Sequence, residues 1–342
     1  MTSGLKCPRC GSTYQPPARF CIRDGFPLVV PAAERPVPTT KASTLHRTGE
    51  QLLRTGSGPD PASGLTGRIL DGRYAIEERV GEGGMAYVYR AIDRQTQQVV
   101  AIKVLMSRLA GDRESVARLK REAQLALKLN HPNCCGLLAY GEANGLPYLV
   151  MPFLDGESLS RRESRVGPMP VAEALPILIQ LCRGLQHAHD AGVLHRDLKP
   201  ENVMLVPGPS GERAVVMDFG LAKERIVGTE ADRLTATGIV LGTPEFMSPE
   251  QVRGRQLDPR SDVYALAVLA FELLTGELPF EGATAQETML NHLTGRPRRL
   301  RAIDSRLDEA LDAAIDRALK LDPADRFPTM AAFGDALERI PR

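Results

Sequence analysis

The run His195-Arg196-Asp197-Leu198-Lys199-Pro200-Glu201-Asn202 holds the densest set of chemistry-bearing side chains in this sequence. An aspartate, a lysine two residues on and an asparagine five residues on suit in-line phosphoryl transfer from a magnesium nucleotide to a hydroxyl. In that chemistry Asp197 orients the attacking hydroxyl and accepts its proton, Lys199 steadies the γ-phosphate, and Asn202 holds a metal ion. A charged surface turn is the plainer alternative, and the rest of the chain decides between the two.

The other parts occur in the order this chemistry needs. Asp218-Phe219-Gly220 follows the apolar run Ala214-Val215-Val216-Met217, which reads as a short buried strand. A carboxylate at a strand end, followed by Gly, suits a metal-binding loop that turns sharply. Upstream, Val100-Ala101-Ile102-Lys103 is a strand ending in a lysine, and Gly81-Glu82-Gly83-Gly84-Met85-Ala86-Tyr87-Val88 precedes it. A glycine run of this kind also opens dinucleotide-binding units, where a helix follows. Here Ala86-Tyr87-Val88-Tyr89-Arg90-Ala91-Ile92 favours a strand instead. A glycine turn between two strands lets backbone amides close over phosphates. The third glycine of the motif is replaced by Ala86.

Together these motifs resemble the Hanks-type (eukaryotic-like) serine/threonine protein kinases, and the Gly-Glu-Gly-Gly-Met-Ala loop is similar to their bacterial branch. The resemblance covers about residues 68 to 338. It implies an α+β, bilobal protein kinase fold with a small β-rich N-lobe and a larger helical C-lobe. It also implies ATP with Mg²⁺ or Mn²⁺. The nucleotide would be held by Val80, Gly81, Glu82, Gly83, Gly84, Val88, Ala101 and Lys103, with Asn202 and Asp218 on the metal. Lys103 would pair with Glu122, on an amphipathic helix read over 112–130 with Val116, Leu119, Ala123 and either Ala126 or Leu127 facing inward. Met151 would be the gatekeeper, and adenine would meet the Pro152 carbonyl and the Leu154 amide. Proline has no N–H, but only its carbonyl is asked for here.

The second half reads as mostly helical. Leu175, Leu178, Cys182 and Leu185 fall at helical spacing between Val171 and Ala191, with Pro176 kinking that helix or marking its start. Asp262 opens an apolar helix running to Thr275, capped by Gly276. Gly242-Thr243-Pro244-Glu245 and Ser248-Pro249-Glu250 resemble the family's substrate loop and Ala-Pro-Glu motif, with Arg326 as the partner of Glu250. The resemblance gives Asp262, Glu250 and Arg326 bracing roles. Lys199 with Thr243 favours serine or threonine as acceptor. Activation would follow autophosphorylation of Thr235 or Thr237 (Thr229 more weakly), the phosphate docking on Arg196, with a homodimer for reaction in trans.

The N-terminus is separate. Cys7-Pro8-Arg9-Cys10-Gly11 has the spacing of a zinc half-site, and Phe20-Cys21-Ile22-Arg23-Asp24-Gly25 supplies a second half with Asp24 in the fourth position. A zinc-ribbon-like module over 1–30 is the expectation, against a tail with three stray cysteines. Residues 31–66, rich in Pro, Thr, Ser and Gly, read as a flexible linker.

Bulk properties agree. A chain of 342 residues accommodates a two-lobed domain and a small module, and a net charge of +1 argues neither for nucleic acid nor for a membrane surface, so neither is expected as a partner. No apolar run approaches a membrane span and no signal peptide opens the sequence. Cys134, Cys135 and Cys182 sit in apolar surroundings, and unpaired cysteines suggest a reducing cytoplasm. Redox sensing by the adjacent Cys134 and Cys135 is a weaker reading than core packing. A pseudokinase binding module is the main alternative, but such proteins usually lose Lys103, Asp197 or Asp218. A small-molecule phosphotransferase would lack the 242–250 loop.

Overall fold

The structure is a computed structural model describing residues 5–6, 13–14, 60–83, 86–110, 113–209, 211–219 and 243–341. It divides into two units, Met1–Ser57 and Gly58–Arg342. Of the first, two short strands are described, β1 (Leu5–Lys6) and β2 (Thr13–Tyr14), paired antiparallel with Leu5 opposite Tyr14.

The second unit has the two lobes that the motifs imply. Its N-lobe is a six-stranded antiparallel sheet in the order β3-β4-β5-β6-β8-β7. These are β3 (Ile69–Leu70), β4 (Tyr74–Glu82), β5 (Ala86–Asp93), β6 (Val99–Leu105), β7 (Ala139–Ala143) and β8 (Leu146–Pro152). β4 and β5 form the strand–turn–strand read from the glycine run, with Gly81 opposite Val88 and Glu82 opposite Tyr87. β-Branched and aromatic residues fill one face, so Tyr89, Ile102, Val104 and Val150 are almost wholly buried.

Two helices follow β6, α1 (Ser107–Ala110) and α2 (Arg113–Ala126). The helix read over 112–130 therefore ends four residues early. The Lys128 and Leu129 amides reach back only three residues, to Leu125 and Ala126, which tightens the chain out of the α-helix. Ala126 is buried and Leu127 exposed, which settles which of the two faces the core.

The C-lobe contains a three-stranded sheet of β9 (Glu157–Ser158), β10 (Val203–Val206) and β11 (Arg213–Val216), in the order β11-β10-β9. Its helices are α3 (Leu159–Val166), α4 (Val171–Asp190), α5 (Pro249–Val252), α6 (Pro259–Thr275), α7 (Ala285–Thr294), α8 (Leu300–Ile303), α9 (Glu309–Ala318) and α10 (Met330–Glu338). α4 continues through Pro176, and its predicted residues Leu175, Leu178, Cys182 and Leu185 are all in the core. α6 starts at Pro259, earlier than expected. Asp258 caps the Arg260 amide at 2.8 Å and Pro259 occupies the first turn, so Asp262 lies inside the helix. Gly276 ends it with φ of 71°, the left-handed cap the sequence predicts. Thirteen residues of α6 are buried, so it is the axis of the lobe.

Residues 60–65, read as the end of a linker, fold with the N-lobe. Asp60 caps the 3-10 turn Pro61–Ser63, and its carboxylate also accepts from the Ser107 amide at 3.2 Å and from the Ser107 hydroxyl. Ala62 and Leu65 are buried in the N-lobe core, and Tyr89 Oη donates to the Ala62 carbonyl at 2.6 Å. Small apolar residues in a Pro-rich stretch gave no period to read, and burial against Tyr89 outweighs the local composition.

Candidate active site

The catalytic loop is held from below by Asp262. This carboxylate, 2% exposed, accepts from the backbone amides of His195 at 2.9 Å and Arg196 at 3.0 Å, and lies 2.7 Å from His189 Nε2. Burial, the largest single influence, pushes its pKa up, but the hydrogen bonds and charges of His189 and His195 together outweigh it and keep the carboxyl below the usual range. Arg196 has φ of 65°, a left-handed conformation costing a bulky residue of order 1–3 kcal/mol. It is clamped at both ends: its N–H donates to Asp262, and its carbonyl accepts from Gln251 Nε2 at 2.7 Å. Gln251 is itself fixed by a capping box with Ser248.

His195 joins this loop to the Asp218 loop. Its buried ring has Nε2 2.7 Å from the Met217 carbonyl, which can only accept, so Nε2 carries the proton. Nδ1 is left to accept from the Asp197 amide at 3.3 Å. Burial lowers the pKa of the ring, consistent with this neutral tautomer. His195 also meets Phe219 edge-on at 5.1 Å, and the Met217 amide donates to the Asn202 carbonyl at 2.8 Å. Asp197, Asn202 and Asp218 are thereby drawn to one place.

Their side chains are committed in complementary ways. Asn202 Nδ2 donates to the Asp197 carbonyl at 2.7 Å, which leaves Oδ1, an acceptor only, for other partners. Lys199 Nζ donates to Thr243 Oγ1 at 2.8 Å and lies 3.7 Å from Asp197 Oδ2, linking the catalytic loop to the expected substrate loop. Lys103 Nζ lies 2.7 Å from Asp218 Oδ1. Burial, the largest single influence, raises the Asp218 carboxyl, and the Lys103 charge and hydrogen bond together with His195 and Lys199 overcome it and hold the group below the usual range. Asp218, with φ of 56°, is a second left-handed residue at the site. The expected partner of Lys103, Glu122, is on α2, but its side chain lies outside the described residues.

The residues expected around adenine converge. Ala101, opposite Met151 in the β6–β8 ladder, shares an apolar cluster with Met151, Leu149, Leu119, Ala123 and Val215, against which Val88 and Leu154 pack. Pro152 ends β8 opposite Val100. Val80 is 47% exposed, and the Gly83 amide donates to the Ala86 carbonyl at 2.9 Å across the glycine turn.

Glu250 and Arg326 form the buried pair the sequence suggests, bidentate at 2.8 and 2.9 Å, with Ser261 Oγ donating to Glu250 at 2.6 Å. Cys134, Cys135 and Cys182 are free and buried, and burial pushes the Cys134 and Cys135 thiols up to about 12, which suits core packing and not redox sensing. Among the described residues no cluster of three or more His, Cys, Asp or Glu could hold a metal. Gly84, Thr229, Thr235, Thr237, Cys7, Cys10, Cys21 and Asp24 lie outside the described residues. Sequence reading missed Gln251, His189 and Asp60. Gln251 had a signal, the Ser-x-x-Gln spacing of a capping box before α5. His189 had none, since its role depends on a residue 73 positions away.

The comparisons agree with this geometry. The protein kinase domain family matches residues 74–336. The sequence is 42% identical over 278 residues to serine/threonine-protein kinase pkn3 of Myxococcus xanthus, covering 80% of this chain and 51% of that protein. It is 36% identical over 276 residues to serine/threonine-protein kinase PknL of Mycobacterium tuberculosis, covering 81% of this chain and 67% of PknL. Among solved structures it is similar to the Mycobacterium tuberculosis PknI kinase domain, with a TM-score of 0.64 and 30% identity over 80% of this chain and 97% of that one. The chain belongs to the protein kinase family. It spans about half the length of pkn3 and 32% of pkn2 from the same organism.

Proposed function

We propose that this protein is an ATP-dependent, non-specific serine/threonine protein kinase. The observation that carries the reading is the joining of Lys103 to Asp218, and of Lys199 to both Asp197 and Thr243, at a single cleft edge. Asp197 accepts the proton of the acceptor hydroxyl as that oxygen turns on the γ-phosphorus. Lys199 sits between Asp197 and Thr243, placed to steady the phosphoryl group beside an acceptor on the 243–246 segment. Lys103 neutralises phosphate charge, and the amides of the glycine turn close over it. Asn202 Oδ1 and the Asp218 carboxylate are hard oxygen donors, the kind that suit Mg²⁺ or Mn²⁺. When bound, the ion neutralises charge on the β- and γ-phosphates. A pseudokinase would have to keep this set assembled without using it. Incubating the full chain with labelled ATP and casein, followed by acid hydrolysis, should yield phosphoserine or phosphothreonine. Label found only on tyrosine would overturn the acceptor assignment.

Activation by autophosphorylation at Thr235 or Thr237, in trans within a homodimer, is supported by Arg196, whose backbone is clamped next to Asp197 and whose charge suits a phosphate. Mass spectrometry of wild type and Asp197→Asn decides this: phosphate equally present at those threonines in both proteins rules it out.

Zinc at Cys7, Cys10, Cys21 and Asp24 is supported by the paired strands β1 and β2, which flank the first half-site in sequence. About one Zn²⁺ per chain, lost in Cys7→Ser, is expected. Full zinc retention in Cys7→Ser would remove the site. A cytoplasmic location is the reading that the free, buried cysteines favour. No described helix is long and apolar enough to cross a membrane.

A further inference from the structure

Arg90, on β5, takes no part in the chemistry derived above, yet it stands on the face of the sheet that carries Lys103. β5 alternates: Tyr87, Tyr89 and Ala91 are buried in the N-lobe core, and Val88, Arg90 and Ile92 lie half-buried on the opposite face. Cross-strand partners share a face, and the ladder sets Val88 opposite Lys103 and Arg90 opposite Ala101. Ala101 in turn pairs with Met151 near the end of β8. Arg90 therefore continues the row begun by Val88, toward the segment expected to meet adenine.

Its guanidinium is held there by side chains from two other elements. The β4–β5 ladder passes from Ile76 opposite Ala91 directly to Glu78 opposite Arg90, so Glu77 is the extra residue of a β-bulge. A bulge bends its strand and re-aims a side chain, and the Glu77 carboxylate forms an ion pair with Arg90. The same guanidinium lies over the Phe153 ring, 5.5 Å from its centre, within reach of a cation–π contact. Phe153 stands between Pro152 and Leu154, and with Leu154 it packs on the apolar cluster of Ala101 and Met151. A half-exposed ion pair contributes little stability by itself. What Glu77 supplies is placement, keeping a long side chain over one ring.

We propose that Arg90 is a positioning residue for the nucleotide: held by Glu77, it pins the Phe153 ring and so fixes the 152–154 backbone that the adenine edge meets. The strand pair that carries the glycine turn is thereby tied to the adenine-binding segment through one guanidinium. The inference rests on the kinase reading and adds a determinant of nucleotide affinity to it.

The test uses the full chain and measures binding of AMP-PNP, a non-hydrolysable ATP analogue, with Mg²⁺ by titration calorimetry. The KM for casein at saturating ATP and the melting temperature are measured alongside. Wild type is compared with Arg90→Leu, Phe153→Leu, the double variant and Arg90→Lys. Arg90→Leu should weaken AMP-PNP binding roughly fivefold, the scale of one partly exposed cation–π contact, and leave the casein KM unchanged. Phe153→Leu should weaken it likewise, and the double variant no further, because both changes remove the same contact. Arg90→Lys, which keeps a cation over the ring, should recover most of the affinity. Unchanged AMP-PNP binding in Arg90→Leu overturns the inference. So does an additive double variant, a Lys variant as weak as Leu, or a casein KM that rises as much as the AMP-PNP affinity falls. A wild type that binds no AMP-PNP overturns the kinase reading, and this inference falls with it; the other failures, seen with a wild type that does bind, touch this inference alone.

Discussion

Arg326 shows how a single residue holds the substrate side of the cleft together. Its side chain is fully buried, and its guanidinium spans Glu250 and the carbonyls of Arg260, Lys320 and Leu321. Removing one member of a buried pair leaves the other charge uncompensated. Arg326→Leu should therefore lower unfolding free energy by about 3–5 kcal/mol in urea titration. A loss below about 1 kcal/mol would mean the Glu250 carboxylate finds other partners. Glu163 on α3 and Glu272 on α6 are the opposite case. Each has a buried carboxylate oxygen without a partner among the described residues. Burial, then each neighbouring carboxylate, pushes Glu163 up to about 8, and burial, then Glu201 and Glu245, pushes Glu272 up to about 7. A carboxyl whose folded pKa is raised binds its proton more tightly when folded, so stability falls as pH climbs from about 4.5 through the folded value. Glu272→Gln should raise the melting temperature by a few degrees at pH 8, and the gain should vanish near pH 4. A gain that persists unchanged at pH 4 would point to packing and not to charge. At this scale the sequence points out residues whose own side chains could carry chemistry, Lys103, Asp197, Lys199, Asn202 and Asp218, and the structure brings them together. Glu163 and Glu272 gave no sign, because two unremarkable helix glutamates meet only after folding.

Elements were legible where periodicity and capping agree. β5 and β6 follow from their β-branched and aromatic runs, and α4 and the Gly276 end of α6 follow from spacing and a left-handed cap. Boundaries were less so. α6 begins at Pro259 because Asp258-Pro259 is a stronger start signal than Asp262, and α2 ends where backbone bonding shortens, which no side chain announces. The turn at Pro61–Ser63 could not be read at all, since its reason is a distant one: Asp60 ties it to Ser107 at the start of α1, ahead of the helix that carries Glu122. Asp60→Ala removes both the cap and this tie. It should cost about 1–2 kcal/mol and speed amide exchange at 61–63 and 107. Unchanged exchange at Ser107 would mean the turn and α1 are not coupled through Asp60.

Across the molecule, the small sheet-based lobe presents Lys103 and the glycine turn, and the helical lobe presents Asp197, Lys199 and Asn202 on a loop hung from Asp262. The two sets meet at Asp218, whose backbone neighbour Met217 is bonded to both His195 and Asn202. Two left-handed residues, Arg196 and Asp218, bracket the reacting groups, and buried hydrogen bonds hold them there. The most direct test of this account is the rate of phosphate transfer from ATP to casein by wild type and Asp197→Asn, with thermal melts alongside. With Asp197 as the proposed base, the account predicts a fall of ~10²–10⁴ in turnover with the melting temperature retained. An Asp197→Asn protein that transfers phosphate as fast as wild type would contradict it.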